Sequence, residues 1–172
     1  EGYFAQVKYD YDGKYYISAS YRRDASSRFH KDHRWGNFGS VGASWLLSKE
    51  TFMAGAEWID LLKIKASYGI QGNDNLLYQT GDVNYYPYAD QYKLSELDGN
   101  FATALSYKGN KDITWETSHS FNAGVEFGFW GGRLAGSVEY FSRKTTDMLY
   151  YMPSPNTIGY AYYPTNAGSV RN

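Results

Sequence analysis

The run Trp115-Glu116-Thr117-Ser118-His119-Ser120-Phe121-Asn122-Ala123-Gly124-Val125-Glu126-Phe127-Gly128 changes character at every step. Trp115, Thr117, His119, Phe121, Ala123, Val125 and Phe127 fall in one phase. Glu116, Ser118, Ser120, Asn122, Gly124, Glu126 and Gly128 fall in the other. Side chains of a strand alternate between sheet faces, so this stretch predicts a strand with one apolar and one wet side.

The same rhythm recurs in both directions. From Tyr3 to Tyr11, Tyr3, Ala5, Val7, Tyr9 and Tyr11 oppose Phe4, Gln6, Lys8 and Asp10, and Asp12-Gly13 then signals a hairpin. Tyr15, Ile17, Ala19 and Tyr21 oppose Tyr16, Ser18, Ser20, Arg22 and Asp24. A third strand is expected from Asn37 to Leu47, with Val41, Ala43 and Trp45 apolar against Ser40, Gly42 and Ser44. A fourth, from Leu61 to Gln71, sets Leu62, Ile64, Ala66, Tyr68 and Ile70 against Lys63, Lys65 and Ser67. After the strand quoted first, Trp130-Gly131-Gly132 turns the chain into a sixth. There Leu134, Gly136, Val138 and Tyr140 oppose Arg133, Ser137, Glu139 and Arg143, and a seventh is expected near Asn166.

Charge tests the pattern. Lys8, Asp10, Arg22, Asp24, Lys63, Lys65, Glu116, Glu126, Arg133, Glu139 and Arg143 all take the polar phase, which predicts an apolar phase free of charge. A sixth strand that ran past Arg143 would bring Lys144 onto the apolar side. The polar phase is otherwise Ser, Asn and Gly, as a wet barrel lumen requires. Tyr3, Tyr11, Tyr15, Tyr21, Trp45, Tyr68, Trp115 and Phe127 are expected as aromatic girdles near strand ends.

Hydrophobic residues make up 42% of the chain, yet mean hydropathy is -0.60, because 19 Tyr supply much of the apolar surface. Tyrosine suits sites where one end of the ring is apolar and the other wet. No stretch approaches 18 apolar residues, so a membrane-spanning helix is excluded. A net charge of -1 implies no nucleic-acid partner, and the absence of Cys rules out disulfides and thiolate metal sites. Connections alternate in length: tight turns at 12–14 and 130–132, and long segments near 25–36, 72–114 and 145–165. Outer-membrane barrels alternate short periplasmic turns with long outer loops. The connection from Ser48 to Asp60 breaks this rule, and its Phe52, Met53, Trp58 and Ile59 spacing predicts a short helical turn against the rim. The fold class expected is all-β, part of a large antiparallel transmembrane β-barrel with about six to seven strands. Tyr15, Ile17, Tyr21, Trp45, Ile64, Tyr68, Phe121, Val125, Val138 and Tyr140 are expected to face lipid. A soluble all-β carbohydrate-binding module is the competing reading, but Ala5, Ala19, Ala43, Ala66, Ala123 and Gly136 would fill a two-sheet core poorly. A passive porin-type barrel shares the wall physics.

Several segments carry a family resemblance. They are Arg22-Arg23-Asp24-Ala25-Ser26-Ser27-Arg28-Phe29, Arg34-Trp35-Gly36-Asn37-Phe38, Lys65-Ala66-Ser67-Tyr68-Gly69-Ile70-Gln71-Gly72-Asn73-Asp74 and Trp115-Glu116-Thr117. Gly136-Ser137-Val138-Glu139-Tyr140-Phe141, Lys144-Thr145-Thr146-Asp147-Met148-Leu149, Pro153-Ser154-Pro155 and Asn166-Ala167-Gly168 follow. In this order they resemble the SusC/RagA family of TonB-linked outer-membrane transporters, with Ala25 standing where that family usually has Gly. The resemblance implies a 22-stranded barrel in the outer membrane of a Gram-negative bacterium, plugged by an N-terminal domain. It further implies active import of glycans or peptides beneath a SusD-like surface lipoprotein, with energy from TonB. Residues 1–172 are expected to be a partial transmembrane β-barrel domain. Glu1-Gly2-Tyr3-Phe4 reads as mid-strand sequence, which places signal peptide, plug and TonB-contact segment outside this chain.

Candidate contact residues lie in the long connections. Tyr85, Tyr86, Tyr88 and Tyr92, with neighbouring Tyr78, form one aromatic loop. Tyr150, Tyr151, Tyr160, Tyr162 and Tyr163 form a second, and Tyr160 and Tyr162 join the first set as residues expected to touch substrate or lid. Packing against neighbouring loops is the alternative. Gly72-Asn73-Asp74-Asn75 lacks the spacing of a calcium loop and reads as a turn. His30, Asp32 and His33 lack further ligands, so no metal is expected. Arg22, Arg23, Arg28 and Arg34 suit either lipopolysaccharide phosphates or ion pairs to Asp24 and Asp32. No nucleophile elbow or phosphate loop appears. Glu116 and Glu126 lie ten residues apart, about 33 Å at strand rise, too far for a glycosidase pair. No enzyme and no cofactor are expected.

Overall fold

The computed structural model describes residues 1–78, 81–97 and 99–172. The strands are β1 (Gly2–Tyr11), β2 (Tyr15–Ala25), β3 (Trp35–Leu46), β4 (Ile59–Asn73), β5 (Gln91–Leu97) and β6 (Asn100–Tyr107). They continue as β7 (Glu116–Phe129), β8 (Leu134–Thr146), β9 (Leu149–Pro153), β10 (Tyr162–Asn166) and β11 (Ser169–Arg171). One antiparallel sheet of seven strands runs in the order β1-β2-β3-β4-β7-β8-β11, while β5–β6 and β9–β10 are separate hairpins.

Residues directly opposite in a strand pair share a face, so register decides which side chains sit together. Tyr9 pairs with Ile17, Ile17 with Ala43, Ala43 with Ala66, Ala66 with Ala123 and Ala123 with Tyr140. The next rows join Tyr15, Trp45, Ile64, Val125 and Val138, and then Ala19, Val41, Tyr68 and Phe121. The apolar phases of six strands therefore form one continuous face. It is open: Ile17 is 51% exposed, Ile64 43%, Phe121 41% and Val138 68%. Among the described residues nothing packs over this face, so these side chains do not form a two-sheet core here.

Register also corrects the charge expectation. Arg23 pairs with Tyr3, and β8 runs on to Thr146, which brings Lys144 opposite His119. Both cations therefore lie on the apolar face, near the end that carries the long connections. Charge on a lipid-exposed strand costs about 2–4 kcal/mol at mid-bilayer but only about 0–1 near the interface, which is why the exclusion lapses there. Arg133 falls in the turn rather than in β8.

At the opposite end the turns are tight. Asp12 and Gly13, in the three-residue connection between paired Tyr11 and Tyr15, have φ of 56° and 58°, the left-handed conformation that Asp-Gly supplies in tight hairpin turns. The Lys14 N–H closes the turn on the Tyr11 carbonyl at 3.1 Å, and the Gly13 N–H donates to Asp10 Oδ1 at 3.0 Å. The connection from β3 to β4 contains two short 3-10 turns, Leu47–Lys49 and Thr51–Met53, folded against the rim as its spacing suggests. Glu50 anchors it by accepting from Tyr15 Oη at 2.6 Å and Trp45 Nε1 at 3.0 Å. These bonds hold its carboxyl below the usual carboxylate range. Trp58 packs on Phe129 and Trp130 at 5.3 and 6.1 Å between centroids.

The long connections gather at the other end into a cap with its own core. Phe29, Leu76 and Ile113 are buried there, with Tyr88, Trp115, Leu149 and Tyr151 packed around them. Trp115 precedes β7 and lies between Phe29 and Phe38, at 5.4 and 5.1 Å, while its Nε1 donates to the Arg34 carbonyl at 3.1 Å. It belongs to the cap core, not to a girdle, because the strand starts one residue later and frees it to turn inward. Gly72 is required beside it: a Cβ there would collide with the Phe38 ring. The long connections are not structureless either. β5–β6 lies within the first, and β9–β10 occupies the segment where the seventh strand was expected to begin. β11 itself starts at Ser169. Asp90 fastens the base of β5–β6 by accepting from Lys108 Nζ and from the Gly109 N–H, each at 2.9 Å. The Lys108 ammonium first, then the Gly109 N–H, hold the Asp90 carboxyl below its ordinary range.

Phe29→Ala is expected to cost the cap about 3–5 kcal/mol, the usual loss for a buried aromatic ring. Protease cleavage should then rise within 74–114 while the hydrogen-exchange protection of β1–β4 is unchanged. A second expectation concerns pH. Because the folded Asp90 pKa is depressed, its clasp is fully formed above the unfolded value of about 3.9 and is lost as pH falls below that value through the folded one. Amides of β5 and β6 should keep their protection from pH 7 to 5 and lose it progressively as pH falls below about 3.9, earlier than those of β7; Asp90→Asn should remove the difference.

Candidate functional site

The cap and the wet face beneath it carry the chemistry. Within the cap, Asn84 is fully buried. Its Nδ2 donates to Tyr107 Oη at 3.0 Å and Tyr151 Oη at 2.8 Å, and its Oδ1 accepts from the Tyr86 N–H at 3.0 Å. A buried amide with each polar atom matched fixes the loops around it, since leaving one unmatched costs about 1–3 kcal/mol. Asn110 Nδ2 reaches the Pro164 carbonyl at 3.0 Å, and Asn166 exchanges two bonds with the Thr114 backbone at 2.9 Å each. Three asparagines thus tie the β4–β7 connection to β9 and β10.

The tyrosines fixed in this way wall a pocket of about 260 Å3 lined by Tyr78, Ser106, Tyr107, Tyr151, Tyr160, Ala161 and Tyr162. Tyr78 stacks on Tyr151 at 6.2 Å, and Tyr107 meets both edge-on at 5.9 and 6.3 Å. Burial first, and then the neighbouring Tyr151, pushes the Tyr107 phenol far up, so it stays neutral. Burial also raises Tyr151. The lining holds neutral rings and hydroxyls and no charged side chain.

The contact residues expected from sequence divide in three. Tyr160 and Tyr162 line the pocket. Tyr85, Tyr86 and Tyr92 are 60%, 61% and 64% exposed, and Arg28 lies 5.5 Å over the Tyr85 ring. Tyr88 instead packs on the buried cap cluster, with His30 edge-on at 6.0 Å. Sequence reasoning missed Tyr107 and Asn84. The dipeptide Asp98-Gly99 between the alternating runs 92–97 and 101–105 was the signal that could have revealed the hairpin carrying Tyr107.

Below the cap, a wide recess of about 1100 Å3 on the wet face is lined by Arg22, Asp24, Arg28, Gln71, Asp74 and Tyr85 among others. Its cations are matched: Arg22 pairs with Asp24 at 2.5 Å and Arg28 with Asp74 at 3.2 Å. Arg23 lies over the Trp35 ring at 4.9 Å on the other face. Further along the wet face, Lys65 bridges Glu126 and Glu139 at 2.7 and 2.5 Å. The turn expected at 72–75 is not formed as such: Gly72 and Asn73 still pair with β7 as the end of β4, and the Asn75 N–H donates to Asn73 Oδ1 at 3.0 Å just beyond it. Asp74 is occupied by Ser26 Oγ at 2.6 Å and by Arg28. His30 pairs with Asp32 at 3.1 Å, whereas His33 approaches Asp112 at 3.8 Å. Among the described residues no cluster of three metal-ligating side chains occurs.

Comparison with known proteins agrees. The family model for the TonB dependent receptor-like β-barrel matches residues 1–172. A TonB-dependent receptor of Formosa agariphila is 37% identical over 98% of this chain, and TonB-dependent receptor SusC of Bacteroides thetaiotaomicron 31% identical over 99%. The chain spans only 16% and 17% of those relatives. The RagAB peptide importer in its closed-closed state superimposes with a TM-score of 0.86 at 29% identity, over 99% of this chain and 18% of that one. The siderophore receptor PirA of Pseudomonas aeruginosa shares the fold alone, with a TM-score of 0.61 at 17% identity. These relatives are receptors and importers, not enzymes. The chain belongs to the TonB-dependent receptors of the SusC/RagA type and corresponds to a segment of their outer-membrane β-barrel.

Proposed function

We propose that this chain supplies wall and outer mouth to an importer that moves an oligomeric nutrient, a glycan or a peptide, across the outer membrane. Energy comes through TonB, and a SusD-like surface lipoprotein closes over the cap. The observation that carries this reading is one sheet with a continuous open apolar face, a charged wet face behind it, and the β2–β3, β4–β7 and β8–β11 connections folded into a cap at one end. The likeness to RagAB, a peptide importer, supports it. The apolar rows, including Tyr15, Ile17, Tyr21, Trp45, Ile64, Tyr68, Phe121, Val125, Val138 and Tyr140, face lipid, and the Lys65 cluster faces the lumen. Tyr160 and Tyr162 meet cargo in the pocket. Its volume falls below the roughly 300–1,000 Å3 of sites for drug-sized ligands, so it takes one neutral ring, a sugar or an aromatic side chain. Tyr85, Tyr86 and Tyr92 offer exposed rings to cargo or to the lipoprotein.

Two measurements on the full-length receptor test this. Cells that depend on it for an oligomeric nutrient should stop taking it up when TonB is removed; uptake that persists would make it a passive pore. Tyr160→Ala combined with Tyr162→Ala should weaken cargo binding about tenfold, the scale of two lost ring contacts at about 0.5–1.5 kcal/mol each, with the barrel still folded. The wall is tested separately. Tyr140→Arg, near mid-strand on the apolar face, should destabilise the barrel in lipid vesicles by about 2–4 kcal/mol. Asn122→Arg, on the wet face, should cost less than about 1 kcal/mol. Equal effects would refute the assignment of faces.

A further inference from the structure

On the apolar face, the row nearest the cap but one runs Ile70, His119, Lys144, Arg171 across β4, β7, β8 and β11. The charged side chains in the paired rows of this face are Arg23, Lys144 and Arg171, all of one sign. Lys144 and Arg171 are exposed and stand directly opposite one another. Directly opposed like charges destabilise a strand pair unless something of opposite sign lies between them. Several cations elsewhere have carboxylates, Lys14 with Asp12, Arg22 with Asp24, Arg28 with Asp74, Lys65 with Glu126 and Lys108 with Asp90, but none of these lies on the apolar face. Among the described residues no carboxylate is paired with Lys144 or Arg171.

The surroundings of this pair are amphiphilic in one direction. One row toward the cap, Thr117, Thr146 and Ser169 line up as hydroxyl donors. Toward the tight turns, Phe121 and Tyr140 are in ring contact at 6.4 Å, and Val138 follows. Hydroxyls above, cations in the middle and apolar side chains below match a lipid that carries an anionic headgroup at its interface end.

We propose that Lys144 and Arg171 bind a phosphate of an outer-leaflet glycolipid, with Thr117, Thr146 and Ser169 donating to its oxygens and the Phe121–Tyr140 surface receiving an acyl chain. The proposal rests on the apolar face meeting lipid and adds a headgroup-specific site to it. The phosphate sits between two directly opposed cations, and it sets the height of the barrel in the outer leaflet.

The test uses the full-length receptor purified from outer membranes in mild detergent. Phosphorylated glycolipid retained per receptor is measured, followed by rebinding of phosphorylated and dephosphorylated glycolipid after delipidation. Lys144→Gln with Arg171→Gln should lower affinity for the phosphorylated form about thirtyfold, the scale of two basic side chains at an anionic lipid surface. Arg171→Lys should retain binding, and Arg133→Ala, at the other end of β8, should change nothing. Wild-type receptor should discriminate against the dephosphorylated form by a similar factor, which decides the matter even where the double variant folds poorly. Equal binding of the two forms, or undiminished retention by a folded double variant, overturns the phosphate site. If Tyr140→Arg inserts into vesicles as well as wild type, the membrane reading itself has failed; if it does not and glycolipid binding is indiscriminate, only the phosphate site has.

Discussion

Register between β4 and β7 is the constraint on which the rest of the sheet depends. The pair runs from Ile59 opposite Phe129 to Asn73 opposite Glu116, with a single irregularity near Leu61. A slip of one residue anywhere along it would exchange the two faces, turning Lys65 and Glu126 outward and Ile64 and Val125 inward. The ion pairs from Lys65 to Glu126 on β7 and Glu139 on β8 cross both neighbouring interfaces, so they hold three strands to one alignment. Such pairs contribute little to stability where water reaches them. Their value here is that every slipped alignment separates them and buries charge in the wrong solvent.

The cap obeys different physics. Its aromatic cluster is small, and the polar atoms of Asn84, Asn110 and Asn166 supply the specificity that a larger core would otherwise give. Asparagine carries a donor and an acceptor on one short side chain, so it can close two backbone or phenol contacts at once. The pocket is a by-product of this arrangement: Tyr78, Tyr107 and Tyr151 form one wall, and Tyr160 and Tyr162 close the other side from the connection and second strand of the hairpin that carries Tyr151.

The wall was legible in the sequence because lipid and water impose opposite demands on alternate residues, and each strand repeats the message. Even its exceptions were readable in outline: Lys144 was exposed as a problem by strand length alone, whereas Arg23 escaped notice beside the better-sorted Arg22. The cap was legible only as aromatic composition. Its residues meet across connections that have no shared period, so nothing local says that Asn84 will find Tyr151 or that Trp115 will turn inward to Phe29. The resemblance to SusC/RagA transporters, read from ordered short segments, reached the family; it could not reach the pocket, because the cap residues that build it lay largely outside those segments.

The arrangement of connections also sets an order of assembly. The β1–β2 and β7–β8 hairpins close over three and four residues and form on a microsecond scale. Pairing β4 with β7 must first bring together segments separated by the whole excursion from Asp74 to Trp115, a loop-closure cost that local hairpins escape. The β5–β6 hairpin shortens that excursion from within, and Leu76 and Ile113, close to its two ends, meet in the buried cap cluster. The cap is therefore a kinetic scaffold for the strand pair it crowns, and damage to it would be felt first as slow assembly in the periplasm, where open strand edges aggregate.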